Sequence, residues 1–96
     1  MVEYETIMLE VTVLNRVGLH IRPAAELAKM AKCFSSSISI EHTGTVCDGK
    51  SALAVLMLGA AQGARLTVSA KGKDAAEAVE AIAEQFARKF GAEDSS

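Results

Sequence analysis

Residues 18–24 read Gly-Leu-His-Ile-Arg-Pro-Ala and contain one histidine, with an arginine two residues after it. The histidine lies at the N-terminal end of a predicted helix. A neutral imidazole nitrogen is a competent nucleophile, and imidazole also leaves phosphorus readily. The N–H groups of a helix N-terminus point toward an anion placed beside them, and the planar guanidinium of arginine suits phosphate oxygens. These residues predict reversible phosphorylation of His20 with Arg22 assisting. The alternative is a histidine that only caps the helix or faces solvent.

Ser51 also permits two interpretations. It follows a turn-forming stretch over residues 48–50 and stands directly before an apolar run, so its hydroxyl is well placed to cap a helix. A phosphate at a helix N-terminus is electrostatically favourable. Ser51 is therefore a candidate regulatory phosphorylation site as well as a candidate helix cap.

The helix predicted after Ser51, over residues 52–58, reads Ala-Leu-Ala-Val-Leu-Met-Leu and is apolar nearly all round. A surface helix needs only one buried stripe, so either Leu53 and Leu56 or the opposite face is expected to be exposed. An exposed apolar patch on a soluble domain usually marks a partner site. The alternative is a helix that a small domain buries more deeply than its neighbours.

No second group of residues in the sequence suggests catalysis or metal binding. The two histidines and two cysteines are scattered without ligand spacing, so neither a metal nor a cofactor is expected. The sequence also has no glycine-rich nucleotide loop and no Ser-His-Asp order. His42 falls in a predicted hairpin turn and is expected to be solvated. Cys33 and Cys47 are expected to be reduced, partly buried thiols.

The elements that position these residues follow from hydrophobic periodicity. The pattern predicts strands over residues 6–14, 38–41, 45–47 and 66–70, and helices over residues 21–32, 52–58 and from Asp74 onward. Pro23 is tolerated only in a first turn, which places the start of the first helix near His20. Asp74 is expected to cap the last helix, whose apolar face includes Phe86 and Phe90. The order βαββαβα predicts an α+β open-faced sandwich, a four-stranded antiparallel sheet covered on one face by three helices.

Composition narrows the class of protein. The chain has 96 residues, of which 50% are hydrophobic, and a formal net charge of −2. This length predicts a single domain over residues 1–91 and a frayed polar tail over residues 92–96. The negative charge argues against nucleic-acid binding, and the longest apolar run is far short of the roughly 20 residues that a membrane span needs. The acidic start of the chain does not resemble a secretory signal, so a cytoplasmic location is expected.

Two stretches of this sequence resemble the HPr family, the histidine-containing phosphocarriers of the bacterial phosphoenolpyruvate-dependent phosphotransferase system. The stretch over residues 18–24 is similar to the family's active-site signature. The stretch over residues 49–64, with Gly-Lys-Ser followed by the apolar helix, is similar to its regulatory-serine segment. The resemblance runs from Thr6 to Phe86 in order and without large gaps, and it implies the same open-faced sandwich.

The resemblance also implies roles for individual residues. His20 would take a phosphoryl group on Nδ1 from phosphorylated Enzyme I and pass it to an enzyme IIA domain, as a transfer intermediate with no small-molecule substrate of its own. Arg22 would stabilise the phosphoryl group, and Pro23 would fix the first turn of the helix. Ser51 stands where the HPr kinase/phosphorylase acts in organisms that have it.

A docking surface on two helices is the third implication. In this sequence it corresponds to Ile21, Arg22, Ala25, Lys29, Ala52, Leu53 and Leu56. The cations Arg22, Lys29 and Lys50 would form a basic patch that complements an acidic partner despite the net negative charge. The protein is expected to be a monomer.

Three features depart from the usual pattern of the family. Ile21 stands where a small residue commonly follows the histidine, and Ala52 is smaller than the usual apolar residue after the serine. The run over residues 56–63 also resembles the nitrogen-related branch of the family. Sugar uptake therefore stays open as the pathway. The alternative function is a regulatory HPr-like protein that acts by docking to partner proteins.

Overall fold

The computed structural model describes residues 2–91, and their elements follow the predicted order βαββαβα. The elements are β1 (Ile7–Thr12), α1 (Ile21–Ala31), β2 (Ser37–His42), β3 (Thr45–Asp48), α2 (Ala52–Met57), β4 (Arg65–Lys71) and α3 (Ala75–Ala87). The four strands form one antiparallel sheet in the order β1-β4-β2-β3, which confirms the predicted open-faced sandwich. The frayed tail predicted over residues 92–96 lies outside the described residues.

One face of the sheet and the three helices enclose the core. Val11 pairs with Leu66 across β1 and β4, and Ile40 pairs with Val68 across β2 and β4, so these side chains share the buried face. Alternation with polar residues places those residues on the opposite, open face. Phe86 of α3 is among the largest fully buried side chains. Within residues 2–91, no helix has the length and apolar character that crossing a membrane requires.

The strand β1 is shorter than the predicted span of residues 6–14. After Thr12 the chain leaves the regular ladder, and the Val13 N–H donates to the carbonyl of Ala64 at 2.9 Å. The Leu19 N–H likewise donates to the carbonyl of Ala60 at 2.9 Å. Backbone hydrogen bonds therefore join the loop that precedes α1 to the segment that follows α2.

Gly18 makes this close approach possible. Its φ is +75°, and a Cβ at this position would lie 2.5 Å from the carbonyl oxygen of Ala60. A glycine has no Cβ and adopts positive φ without steric cost. The loop therefore reaches the start of α1 in a conformation that other residues do not accommodate.

Helix α1 begins and ends close to its predicted bounds. His20 is the N-cap residue, Pro23 lies buried in the first turn, and Lys29 lies in the last turn. The proline lacks an N–H, but a first-turn N–H has no intrahelical acceptor in any case. The helix ends at Ala31, and the predicted last residue, Lys32, is the C-cap.

Asp74 is the N-cap residue of the last helix, as predicted, but its side chain does not take part in the cap. Its carboxylate makes no hydrogen bond to the first turn of α3. The carboxylate instead accepts hydrogen bonds from the N–H and hydroxyl groups of Ser35 and Ser36, in the loop between α1 and β2. Asp74 therefore links two segments that are distant in sequence.

Phe90 is buried as predicted, but not as an extension of α3. The helix ends at Ala87, and a short turn over Lys89–Gly91 follows, in which all three residues have positive φ. The ring of Phe90 packs edge-on against Phe86, with ring centroids 4.9 Å apart. We call Lys89–Gly91 the C-terminal turn.

Two predictions about exposure are also wrong. His42 is the last residue of β2, is half-buried rather than solvated, and places Nδ1 3.2 Å from the carbonyl oxygen of Leu58. Its turn consists of Thr43 and Gly44 alone, both with positive φ, as tight hairpins require. Cys33 is exposed, whereas Cys47 is half-buried as expected. Burial, and next the nearby Asp48 carboxylate, raise the pKa of the Cys47 thiol.

Candidate functional site

His20 stands at the point where the loop after β1 becomes α1. Its backbone is extended, its carbonyl accepts a hydrogen bond from the Ala24 N–H at 3.0 Å, and its side chain does not cap the helix. The ring nitrogen Nε2 is buried and has no hydrogen-bond partner among residues 2–91. Nε2 is therefore enclosed by protein.

The first turn of α1 favours an anion beside His20. The N–H groups of Ile21 and Arg22 have no carbonyl four residues back within the helix, and Pro23 contributes no N–H. No acidic residue lies in this turn to neutralise the positive end of the helix dipole. The helix start therefore presents two backbone donors and a partial positive charge.

Arg22 lies on the surface at the same helix end. Its Nη1 donates a hydrogen bond to the carbonyl oxygen of Phe90 at 2.9 Å. A guanidinium carries five N–H donors in a planar fork, so this one bond leaves other donors for a ligand. The structure thus brings together the three predicted residues His20, Arg22 and Pro23.

Asn15 belongs to this region and was not predicted as a site residue. It is only 1% exposed, and its Nδ2 donates to the carbonyl oxygen of Lys89 at 3.0 Å. Its Oδ1 is buried and, like His20 Nε2, has no partner within the described part of the chain. In the sequence, Asn15 is directly followed by the polar Arg16 in a predicted loop, so no pattern distinguished it.

Ser51 is the N-cap residue of α2. Its Oγ accepts a hydrogen bond from the Ala54 N–H at 3.1 Å, which confirms the capping interpretation. The side chain is half-buried, and α2 packs against α1. Phosphorylation of Ser51 stays a prediction.

The apolar helix α2 exposes one face and buries the other. Leu53 and Met57, which are four residues apart and share a face, are 68% and 76% exposed. Val55 is fully buried, and Leu56 is half-buried and packs against the core. The predicted docking residue Leu56 thus contributes part of its side chain to the core, and the exposed Met57 was not among the predicted docking residues. The spacing from Leu53 was the signal that would have found Met57.

The other predicted docking residues lie on α1 or at the start of α2. Ile21 and Ala25 are exposed, and Ala52 is half-buried. Val17, in the loop before α1, is also exposed and was missed because loop residues have no periodicity. We call Val17, Ile21, Leu53 and Met57 the exposed apolar residues.

The three cations of the predicted basic patch are not close together. Arg22 and Lys29 are seven residues apart, which in a helix corresponds to about 10 Å. Lys50 is half-buried, and its Nζ donates to the carbonyl oxygen of Phe34, beyond the C-terminal end of α1. Lys29 is exposed. The exposed Glu26 lies between Arg22 and Lys29 on the same face of the helix, so the predicted cations do not form one continuous patch.

Comparison with known proteins is consistent with this arrangement. The family model described as “PTS HPr component phosphorylation site” matches residues 7–88. Phosphocarrier protein HPr of Cupriavidus necator is 35% identical over 82 residues, which cover 85% of this chain and 92% of that protein. The crystal structure of HPr-C-His from Thermoanaerobacter tengcongensis is similar with a TM-score of 0.86 at 36% identity, covering 91% of this chain and 98% of that one.

A third similar protein is named for a role in catabolite repression. The catabolite repression protein Crh of Bacillus subtilis, whose crystal structure is a swapped dimer, is similar with a TM-score of 0.70 at 30% identity, covering 93% of this chain and 97% of that one. The family match spans most of the described residues, and the most similar of these structures covers nearly the whole chain. This chain belongs to the HPr family of phosphocarrier proteins.

Proposed function

We propose that residues 1–91 act as one phosphocarrier domain, in which Nδ1 of His20 accepts a phosphoryl group from phosphorylated Enzyme I and passes it to an enzyme IIA domain. The observation that carries this proposal is the position of His20 at the N-cap of α1, with Nε2 enclosed and Arg22 in the first turn. The two partners follow from membership of the family.

The transfer step needs no cofactor. The lone pair of Nδ1 attacks phosphorus, the bond between phosphorus and the donor breaks, and the electron pair of that bond stays with the donor. Because imidazole is both nucleophile and leaving group, the same step runs in reverse toward the next acceptor. A carrier of this kind gains and loses the phosphoryl group without turning over a small molecule.

The first turn of α1 supplies the electrostatic support for this step. The backbone donors of Ile21 and Arg22 and the helix dipole favour the negative charge of the phosphoryl oxygens. The guanidinium of Arg22 adds charge-assisted hydrogen bonds, which are stronger than neutral ones. Pro23 holds the first turn in its helical conformation, since its φ is fixed by the ring.

The surface around this site fits protein partners. The exposed apolar residues supply a contact area, and Arg22 and Lys29 supply positive charge toward an acidic partner. Ser51 caps one of the two helices that carry these residues, so a phosphate there would add negative charge to the surface. We assign the protein to the cytoplasm as a monomer, in sugar uptake or its regulation.

The proposal is tested with the full chain, Enzyme I, magnesium and labelled phosphoenolpyruvate. We expect acid-labile label on the wild-type protein, no label on His20→Ala, and normal labelling of the control His42→Ala. Subsequent addition of an enzyme IIA domain is expected to remove the label. Labelling of His20→Ala at the wild-type rate would contradict the proposal.

A second candidate function is regulation by docking, without a need for phosphoryl transfer. The exposure of Leu53 and Met57 favours it, because two large apolar side chains on one helix face are typical of a partner site. The similarity to Crh is consistent with it. Partner binding that is equal for the phosphorylated protein and for His20→Ala would favour this function over the carrier.

A further inference from the structure

The C-terminal turn has an unusual backbone. Lys89, Phe90 and Gly91 have φ values of +54°, +55° and +74° in succession. Residues with a Cβ avoid this region because the Cβ approaches the following carbonyl oxygen. Two such residues in a row persist only where surrounding contacts hold them. Only the last of the three positions is a glycine.

Two side chains from the site region hold this turn. Asn15 Nδ2 donates to the carbonyl oxygen of Lys89 at 3.0 Å, and Arg22 Nη1 donates to the carbonyl oxygen of Phe90 at 2.9 Å. The ring of Phe90 is buried and packs edge-on against Phe86. The consecutive carbonyls of Lys89 and Phe90 thus accept hydrogen bonds from one residue before His20 and one residue after it in the sequence.

The two donors differ in their freedom. Arg22 is an exposed, long side chain, and such a side chain normally samples many rotamers. Asn15 is almost fully buried and has only two side-chain torsions, so its position is fixed by the surrounding core. The Asn15 hydrogen bond restrains the position of the Lys89 carbonyl. Because Phe90 is the next residue, this bond also restrains the Phe90 carbonyl, which accepts the hydrogen bond from Arg22.

We infer that Asn15 and the C-terminal turn are positioning elements, which hold the Arg22 guanidinium at the N-terminal end of α1, where His20 is the N-cap residue, for phosphoryl transfer. This inference rests on the proposed function. Asn15 acts only through the turn and Arg22, and it does not contact the partner protein because it is buried. Its loss is therefore expected to lower kcat for phosphoryl acceptance from Enzyme I while KM stays unchanged.

The first test compares Asn15→Ala with the matched control Ser36→Ala. Ser36 is equally buried and hydrogen-bonded, but it lies at the opposite end of α1. Since misplacement of a supporting group by about 1 Å costs up to about 100-fold, we expect Asn15→Ala to lower kcat about tenfold. Ser36→Ala is expected to keep the wild-type kcat. Equal kcat values for the two variants would overturn the inference.

The second test changes the turn without touching Asn15. Lys89→Gly and Lys89→Val remove the same charge, but glycine adopts positive φ readily whereas the β-branched valine does not. We expect Lys89→Val to have a kcat several-fold below that of Lys89→Gly, with equal KM. This pair keeps the inference falsifiable if Asn15→Ala fails to fold. Equal kcat values for the pair would overturn it.

A double-mutant comparison separates positioning from a general structural effect. If Asn15 acts through Arg22, Asn15→Ala lowers kcat in the wild-type background but has no further effect in Arg22→Ala. An equal decrease in both backgrounds would overturn the inference. A wild-type protein that takes up no label overturns the proposed function as well, whereas a labelled wild type with unaffected positioning variants overturns only the inference.

Discussion

The N-terminal end of α1 leaves two buried polar atoms, Asn15 Oδ1 and His20 Nε2, without hydrogen-bond partners among the described residues. The C-terminal end is the opposite case, because the Asp74 carboxylate accepts four hydrogen bonds from Ser35 and Ser36. Buried polar groups in proteins are normally paired, and exceptions mark places that serve something other than stability. The difference between the two ends is consistent with the proposed site at the N-terminal end of the helix.

At the C-terminal end of α1, hydrogen bonds stabilise the ionised form of the Asp74 carboxylate. The Ser36 hydroxyl, followed by the Ser35 N–H, lowers the pKa of Asp74 from 3.8 to about 2. Hydrogen bonds to the ionised form of a carboxylate favour that form. At the N-terminal end of α1, the charged Arg22 lies on the surface and its guanidinium makes one hydrogen bond, to the Phe90 carbonyl. Its other donors remain available to a ligand.

The largest effects are expected from two glycine substitutions, one at each end of α1. A Cβ at Gly18 would meet the Ala60 carbonyl oxygen at 2.5 Å, and a Cβ at Gly72 would meet the Ser36 Cα at 2.7 Å. Both positions also have positive φ, so we expect each alanine to lower the free energy of unfolding by roughly 2–4 kcal/mol. Urea unfolding measures this loss, and only Gly18→Ala is expected also to slow phosphoryl acceptance.

Gly44→Ala is the control for backbone strain alone. It has a φ of +87°, and an added Cβ would meet no atom of residues 2–91 within 4 Å. We expect it to cost about 1 kcal/mol. If Gly72→Ala slowed phosphoryl acceptance as much as Gly18→Ala, the two ends of α1 would not be functionally separate.

An intermediate effect is expected from Asp74→Asn, and it depends on pH. Because the pKa of Asp74 is about 2 in the folded protein and 3.8 is its ordinary value, the unfolded chain binds this proton first as pH falls. The stabilisation by Asp74 is therefore complete above the ordinary value and is lost as pH falls toward the folded value. Urea unfolding of wild type and variant is expected to show a difference that shrinks over this range. A difference independent of pH would show that the carboxylate charge does not stabilise the fold.

The smallest change in stability is expected at Ser51, the N-cap residue of α2. Aspartate is also a good N-cap residue, so Ser51→Asp is expected to keep the wild-type free energy of unfolding, while Ser51→Ala loses about 1 kcal/mol. Phosphoryl acceptance is expected to show the reverse order. Ser51→Ala keeps the wild-type rate, and the negative charge of Ser51→Asp slows transfer from an acidic partner. Equal rates for the two variants would argue against charge repulsion at this surface.

Much of the fold and the centre of the site were predictable, since they depend on local patterns. Alternation around Val11 and Val68 predicted strands, and the apolar spacing before Ala31 predicted α1. Pro23 predicted the helix start to within one residue, because a proline fits only the first turn. That start in turn placed His20 at the N-cap. Bounds were wrong mainly where β1 continues into loop contacts with Ala64.

Single side chains were less predictable because their partners lie far away in sequence. Asp74 was assigned to the nearest helix, but Ser35 and Ser36 offer it four donors from another loop. Phe90 continues the apolar spacing of α3, yet the helix stops before it and the ring is buried by a left-handed turn. For the Asp74 side chain, a long-range contact outweighed the local preference.

The sequence by itself determined the order of the elements, the histidine at a helix start and the serine cap, because each depends on residues within a few positions. Tertiary structure decided which atoms of the site are enclosed and what supports Arg22. The Asn15–Lys89 and Arg22–Phe90 hydrogen bonds join residues 74 and 68 positions apart. These contacts exist only once the sheet and α3 have brought the segments around Asn15 and Lys89 together, and no local pattern in the sequence encodes that proximity.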